Sequence, residues 1–174
     1  KSERYPNGLG NDSGELGHNL MDHHYHVGAT ATFDGLEDKY YKGRKPTSLF
    51  IPKFVNISDK TKVPEFLRGY DYQAANSGRG DWGRGNGTVG VGADFKDSLM
   101  QPGGWTMGLM GFGEILPYHE NQATLHETLT DKWGIPQLVL DAGLKDNEWK
   151  MRKRMASDAA ALAQTNNVEQ GGSR

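Results

Sequence analysis

Four of the chain's six histidines lie within the stretch GHNLMDHHYH, which starts at Gly17. Alternate side chains of a strand share a face, so His24 and His26 would lie together with Asp22. A zinc site needs three or four converging ligands, and these residues could begin one. No H-E-x-x-H pattern accompanies them. We therefore predict hydrogen-bonded strand histidines and no metal site, and keep a histidine metal site as an alternative.

A second candidate is the glycine-rich stretch GRGDWGRGNG at residues 78–87. Its backbone could approach a phosphate, but a dinucleotide fingerprint must open a helix and be followed by an acidic residue about twenty positions later. No helix pattern follows at once, and no Walker lysine–serine pair occurs. We predict that residues 78–92 form a lid or a subunit contact, and the choice stays open.

Nucleophilic catalysis by the chain's own side chains finds no support. The absence of cysteine excludes thiolate nucleophiles, thiolate metal ligands and disulfides. No G-x-S-x-G elbow occurs either. The sequence YHEN, Tyr118 to Asn121, could supply an acid or a base, but we favour a polar turn between two strands.

Composition limits the class of protein. A chain of 174 residues can form one ordinary domain, and we treat residues 1–174 as such. The net charge of −2 gives no electrostatic reason to expect nucleic acid or an anionic membrane surface as a partner. No apolar run is long enough to span a bilayer, so no membrane span is predicted. The compartment stays open, cytoplasmic or periplasmic.

The periodicities predict an α+β fold: a mostly antiparallel sheet of five to six strands with a long C-terminal helix packed on one face. Residues 1–20 read as a loop, 21–145 as the sheet region and 146–166 as the helix. In the first strand, residues 21–32, strict alternation would place His24, His26 and Gly28 on one face. It would place His23, Tyr25 and Val27 on the other face.

The remaining elements follow from composition and spacing. Pro52 predicts that the strand around it lies at a sheet edge or carries a bulge. Asp146 is the predicted N-cap of the helix. The predicted buried stripe of the helix consists of residues at helical spacing: Trp149, Met155, Ala159 and Leu162.

Two stretches resemble the glucose-methanol-choline family of flavin oxidoreductases. The first is NDSGELGHNLMDH, residues 11–23, which is similar to the family's S-G-x-[VL]-G-x-N-L-x-D-H passage from the flavin domain into the substrate domain. The second is GEILPYHENQATLHETLTDKWGIPQLVLD, residues 113–141, which contains similar P-x-x-E-N and D-x-x-G-x-P patterns. It most resembles the sugar-oxidising branch, which includes pyranose oxidases and glucoside dehydrogenases.

The resemblance implies that this chain is the substrate-binding domain of an FAD-dependent oxidoreductase that acts on CH–OH groups of a sugar or polyol. In that family FAD is held by a Rossmann-like domain, and a histidine near the C-terminus takes the hydroxyl proton while hydride passes to the flavin. We expect the remaining flavin domain of the same polypeptide as partner. No catalytic residue is expected in this chain, which alone should neither hold FAD nor turn over substrate.

Candidate site residues follow from the same resemblance. The domain crossing, and hence the residues closest to the flavin, corresponds to Asn19, Leu20, Met21 and Asp22. The pocket wall corresponds to Phe112, Glu114 and Leu116, with Glu114 bonded to a sugar hydroxyl; the alternative for Glu114 is an exposed strand residue. Trp82 and Trp105 would stack on a sugar ring or pack in a core or lid. The rival function is a stand-alone carbohydrate- or protein-binding module without catalysis.

Overall fold

The computed structural model describes residues 2–33, 48–79, 90–99, 105–164 and 168–169. The strands are β1 His23–Phe33, β2 Leu49–Ile51, β3 Tyr70–Arg79, β4 Trp105–Glu114, β5 Gln122–Thr130, β6 Pro136–Asp141 and β7 Val168–Glu169. The α-helices are α1 Ala93–Leu99 and α2 Asp146–Ala163, and a 3₁₀ turn covers Asp59–Thr61. None of the helices in these ranges is long and apolar enough to cross a membrane.

The main sheet is antiparallel, with the strand order β2-β3-β4-β1-β7. β2 lies at its edge and ends before Pro52, as the missing amide proton of proline requires. Strand β7 contributes only two residues, so four strands make up most of this sheet. With the long helix α2, this confirms the predicted α+β class.

The predicted single sheet of five to six strands is wrong in one respect, because β5 and β6 form a separate two-stranded sheet. The N-terminal loop lies beside the start of β5. The amide of Ala123 donates to the carbonyl of Gly17 at 2.7 Å, and the amide of Leu20 donates to the carbonyl of Asn121 at 2.9 Å. The loop is therefore hydrogen-bonded to the backbone at the start of β5.

One face of the main sheet packs against α2 and forms the core. On this face β4 carries glycines in place of side chains, because the helix comes very close. A Cβ at Gly111 would lie 2.6 Å from Cε of Met155, and one at Gly113 would lie 2.8 Å from Sδ of Met151. The core consists of apolar residues from the strands, the loop around Val55 and Phe66, and the helix: Val27, Ala29, Ala31, Val55, Phe66, Tyr70, Tyr72, Ala74, Leu109, Met151, Met155, Ala159 and Ala163.

The predicted buried stripe of α2 is wrong at two positions. Trp149 is 51 % exposed and Leu162 is 44 % exposed. The buried residues are instead Glu148, Met151, Met155, Ala159 and Ala163. Met155 and Ala159 are buried as predicted, whereas Glu148 is buried in place of Trp149 and Ala163 in place of Leu162. Lys145, and not Asp146, is at the N-cap position.

The predicted alternation of β1 is also wrong, because the strand contains a bulge. The pairing with β4 shifts register between His24 and Val27. His26 takes a left-handed backbone with φ 64° and is exposed. His24 and Val27 therefore both face α2, although an odd number of positions separates them.

Candidate binding face of the sheet

The candidate site is the face of the main sheet that points away from α2. Its side chains are half-buried or exposed, whereas their neighbours along each strand are buried against the helix. We call this surface the open face. It is formed by residues of three adjacent strands: His23, Tyr25, Asp71, Gln73, Met110, Phe112 and Glu114.

The strand register brings these residues into one patch. Asp71 on β3 lies directly opposite Phe112 on β4, and His23 on β1 lies directly opposite Glu114. Opposite side chains in an antiparallel pair lie about 5 Å apart at Cβ and contact each other. The bulge of β1 falls opposite Phe112, between the two regular parts of the ladder.

An aromatic cluster of His23, Tyr25, His26 and Phe112 lies at the centre of the patch. The rings of Tyr25 and Phe112 are stacked, with centroids 6.0 Å apart and planes at 17°. His23 meets Phe112 edge-on at 6.3 Å, and the His26 ring lies 4.1 Å from that of Tyr25. Tyr25 remains 44 % exposed, so the cluster presents an aromatic surface to solvent.

The bulge is held from the helix side. Nη1 of Arg152 on α2 donates to the carbonyl oxygen of Tyr25 at 2.8 Å. Left-handed backbone at a residue other than glycine is strained, and it persists where neighbouring contacts fix it. Bulges commonly redirect a side chain next to a functional site. Arg152 thus fixes the direction in which Tyr25 enters the open face.

Charged groups border the aromatic cluster. Nζ of Lys53 bonds Oε1 of Glu114, and Nε of Arg68 lies 3.9 Å from Oε2 of the same carboxylate. Asp71 has a different environment, because its Oδ1 is buried and has no hydrogen-bond partner among the described residues. Burial raises the pKa of the Asp71 carboxyl, and the nearby charges of His23 and Lys53 oppose that rise.

Residues 17–22, which include the predicted domain crossing, lead directly into β1 and the open face. We call them the domain-crossing segment after that prediction. Asn19 has a left-handed backbone and its side-chain amide donates to Oε2 of Glu15 at 2.8 Å. The carbonyl of Asp22 accepts from the amide of Ile115 at 3.1 Å. Met21 is 55 % exposed. At Gly17, where φ is 91°, a Cβ would lie 2.4 Å from the carbonyl oxygen of Ala123, so only glycine fits this contact.

Glu148 anchors the turn that follows β4. Its carboxylate accepts from the amides of Leu116 at 3.1 Å and Lys145 at 2.9 Å, from the Tyr118 hydroxyl at 3.1 Å and from the Asn147 side chain at 3.0 Å. Burial alone would raise the pKa of Glu148, but these hydrogen bonds hold it below the usual value. The YHEN stretch is thereby a bonded turn, with Tyr118 turned toward the helix.

The four clustered histidines occupy different environments. His18 stacks on His119 at 4.0 Å, while His23 and His26 belong to the aromatic cluster. His24 is buried, its Nε2 lies 3.2 Å from Sδ of Met151, and burial together with Arg152 lowers its pKa to about 4. Within the described ranges, no group of three or more histidine, aspartate or glutamate side chains could hold a metal ion.

The structure brings some of the predicted site residues together and separates others. Phe112 and Glu114 lie on the open face, and Asn19 to Asp22, the residues predicted at a domain crossing, immediately precede His23 at its end. Leu116 lies past the strand, where its amide bonds Glu148. Trp105 starts β4 at the opposite end, at a position that alternates with Phe112 and so belongs to the other face. Trp82 and most of the 78–92 stretch fall outside the described residues.

Several residues of the site were missed from the sequence. Asp71 and Gln73 alternate with Tyr70 and Tyr72 in the string YDYQ, which is the usual signal for a two-faced strand. That signal could have placed Asp71 on the open face. No local sequence pattern indicates that Arg152 and Lys53 contact the site, because their partners Tyr25 and Glu114 lie far away in the sequence.

Comparison with known proteins adds no relative to these findings. No model of a known protein family matches the chain, and no curated protein matches it significantly.

Proposed function

We propose that this chain is the substrate-binding part of an FAD-dependent oxidoreductase that acts on CH–OH groups of a sugar or polyol. The observation that best supports this is the contact between the two stretches that resemble the glucose-methanol-choline family. They lie far apart in the sequence, yet Gly17 bonds Ala123, Leu20 bonds Asn121 and Asp22 bonds Ile115 through the backbone. Family-like passages that form one continuous junction are expected when both belong to the same domain.

The open face is then the wall that meets the substrate. Phe112 and Tyr25 offer aromatic surface, and Glu114 offers carboxylate oxygens already oriented by Lys53 and Arg68. FAD, when bound, accepts the hydride removed from the substrate carbon. The chain's own residues bind and orient the substrate and shield the reacting carbon from water, and the general base comes from the remaining polypeptide.

The domain-crossing segment fits contact with one edge of a flavin ring system. Its turn is held by the bond of Asn19 to Glu15 and of Leu20 to Asn121, and the apolar Met21 is exposed. The proposal assigns the flavin phosphates to the remaining flavin domain. Asn19, Leu20, Met21 and Asp22 therefore contact the flavin without supplying its main binding energy.

Exposed apolar side chains support a further domain as partner. A two-stranded hairpin is marginally stable alone, and the β5–β6 register places the exposed Leu125, Leu138 and Leu140 on the same face. Exposure of that extent marks an interaction surface. The exposed residues of the hairpin and its turn are Leu125, Leu129, Trp133, Ile135, Leu138 and Leu140. The proposed cover is the remaining flavin domain of the same polypeptide.

Flavin content tests the proposal. The complete polypeptide that contains this chain should copurify with FAD, visible in its absorption spectrum. The 174-residue chain alone should not retain FAD, and with added FAD, a sugar panel and a dye acceptor it should not reduce the dye. Robust dye reduction by the chain alone, or a complete polypeptide without flavin, would contradict the proposal.

The second candidate is a stand-alone carbohydrate-binding module. The aromatic cluster with its adjacent carboxylates favours it, because stacking and hydroxyl recognition need no cofactor. The two functions differ in one result. A module binds sugar and shows no flavin in the complete polypeptide, whereas the oxidoreductase shows both.

A further inference from the structure

Asp71 carries a carboxylate oxygen that the fold does not use. Oδ1 is buried and has no hydrogen-bond partner among the described residues. A buried acceptor without a donor costs free energy, so proteins pair nearly all such groups. Each exception calls for an explanation, and a role in binding or catalysis is one of them. Asp71 therefore differs from Glu148, whose buried carboxylate is fully bonded within the chain.

The surroundings of Asp71 explain why the oxygen stays unbonded. Lys53 is close enough to influence the carboxyl, but its ammonium group is bonded to Glu114. His23 is also near, and its ring is placed edge-on against Phe112. Neither side chain hydrogen-bonds this oxygen. Asp71 as a whole is only half-buried, so a rotation of its carboxylate carries the unbonded oxygen to the open face, where it can accept from a ligand.

The neighbours of Asp71 also indicate the ligand's shape. Asp71 lies directly across from Phe112, and Phe112 is stacked with the half-exposed Tyr25. An ordered aromatic surface next to an acceptor suits a molecule with an apolar face and hydroxyl donors at its edge. A pyranose has both, since its C–H groups form a face and its hydroxyls project around the ring.

We propose that Asp71 is a specificity-determining residue, which accepts a hydrogen bond from a hydroxyl of a sugar or polyol that lies on the Tyr25–Phe112 pair. The ligand class rests on the proposed function. The choice of Asp71 rests on its unbonded Oδ1 and on its position beside the Tyr25 and Phe112 rings. A site built to accept a hydroxyl proton rejects an analogue without that hydroxyl far more strongly than an apolar pocket does.

A binding titration with matched variants tests this. D-glucose and its single-deoxy analogues are titrated into the 174-residue chain and followed by ligand-observed NMR. Asp71→Asn keeps the shape and removes the charge, and it should weaken glucose binding by at least about 10-fold, the effect of losing one charge-assisted hydrogen bond. Asp141→Asn, in the exposed strand β6 outside the open face, should leave binding unchanged. One deoxy analogue should bind the wild-type chain more weakly than glucose does. In Asp71→Asn, that analogue and glucose should bind with similar affinity.

A stability measurement separates a ligand role from a structural role. If Asp71 serves the ligand, Asp71→Asn should unfold at the same or a higher urea concentration than the wild type, because an unbonded buried charge is removed. A lower unfolding midpoint would show that Asp71 supports the fold and would overturn the proposal. Should Asp71→Asn fail to fold, that outcome also counts against it. Tyr25→Leu provides an independent variant, which should weaken glucose binding through loss of stacking.

The outcomes also separate this inference from the proposed function. A complete polypeptide that binds flavin and is reduced by sugar equally well with Asp71→Asn would overturn the role of Asp71 and leave the proposed function intact. A chain whose glucose binding depends on Asp71, in a complete polypeptide without flavin, would retain the role of Asp71 and reject the oxidoreductase. Glucose binding that is absent in the wild-type chain and in the complete polypeptide would overturn the inference.

Discussion

The guanidinium of Arg152 donates to the carbonyl oxygen of Tyr25 at 2.8 Å and so joins the helix to the bulge in β1. The two residues belong to different layers of the fold. Arg152 lies on α2, behind the sheet, while the Tyr25 ring lies on the open face and stacks on Phe112. A backbone contact made behind the sheet thereby sets the position of a ring at the candidate site.

Replacing Arg152 tests the importance of that contact. Arg152→Met keeps most of the side-chain volume and removes the donor, which should destabilise the chain by about 1–2 kcal/mol, the cost of an unpaired carbonyl near the surface. Urea unfolding measures the change. Lys153→Met, at an exposed neighbouring position on α2, is the matched control and should shift stability by less than about 0.5 kcal/mol. Equal midpoints for the two variants would show that the bulge does not depend on Arg152.

Glu148→Gln should be among the most damaging single changes on α2. Glu148 is fully buried and accepts hydrogen bonds from two backbone amides and two side chains. A glutamine would direct its own amide protons at these donors, so we expect a loss of about 2–4 kcal/mol in the free energy of unfolding. Glu120→Gln, an exposed acid beside Lys145, is the control and should change little. A Glu148→Gln variant as stable as this control would contradict the anchor role.

The same carboxylate predicts a pH effect. The folded pKa of Glu148 is lowered, so its contribution to stability is present above the ordinary glutamate pKa and is lost as pH falls through the folded value. The difference in stability between wild type and Glu148→Gln should therefore shrink in acid. Denaturant titrations at a series of pH values below about 5 measure it. A difference that is constant over that series would argue against a lowered pKa.

His24 predicts a second pH effect at higher pH. Its pKa falls from 6.5 to about 4 in the folded chain, mainly through burial. The unfolded chain binds a proton first, so stability should decrease as pH falls from about 6.5 to 4, by up to roughly 3 kcal/mol. His24→Leu should show a shallower decrease over that interval, since its side chain does not titrate. Parallel pH profiles for both proteins would contradict a buried neutral His24.

The glycines of β4 predict a packing effect. A Cβ at Gly113 would lie 2.3 Å from the His24 ring and 2.8 Å from Sδ of Met151. Gly113→Ala should therefore separate β4 from α2 and cost about 1–3 kcal/mol. Gly143→Ala is the control, because its nearest contact would be Nζ of Lys145 at 3.9 Å. Thermal unfolding compares them, and an unchanged midpoint for Gly113→Ala would mean that the layers are less closely packed than described.

Much of the fold could be predicted from the sequence because its signals are local. Gly134 and Pro136 mark the start of β6, Pro52 marks an edge strand, and strong helix formers mark α2. The bulge in β1 could not be predicted in this way. It inserts one residue into the alternation, and the left-handed backbone falls on His26, a residue type that gives no clear signal of it.

The site was less predictable than the fold, for a related reason. Glu114 could be named because it lies within a stretch that resembles a known family, and Phe112 because it is a neighbour of Glu114 on the same strand. Glu148 is buried only because Leu116 and Tyr118, distant in the sequence, supply donors to it. Asp71 is a candidate binding residue because no described residue donates a hydrogen bond to its buried oxygen. Both facts depend on tertiary contacts, which hydrophobic periodicity does not encode.

Sugar-driven reduction of flavin in the complete polypeptide most directly tests the proposed oxidoreductase function. The protein is mixed anaerobically with a panel of sugars and polyols, and the flavin absorption is followed in a stopped-flow instrument. We expect that at least one sugar bleaches the bound flavin, with an apparent affinity that falls in Tyr25→Leu and Asp71→Asn. A bound flavin that no sugar or polyol reduces would contradict the proposed oxidoreductase function.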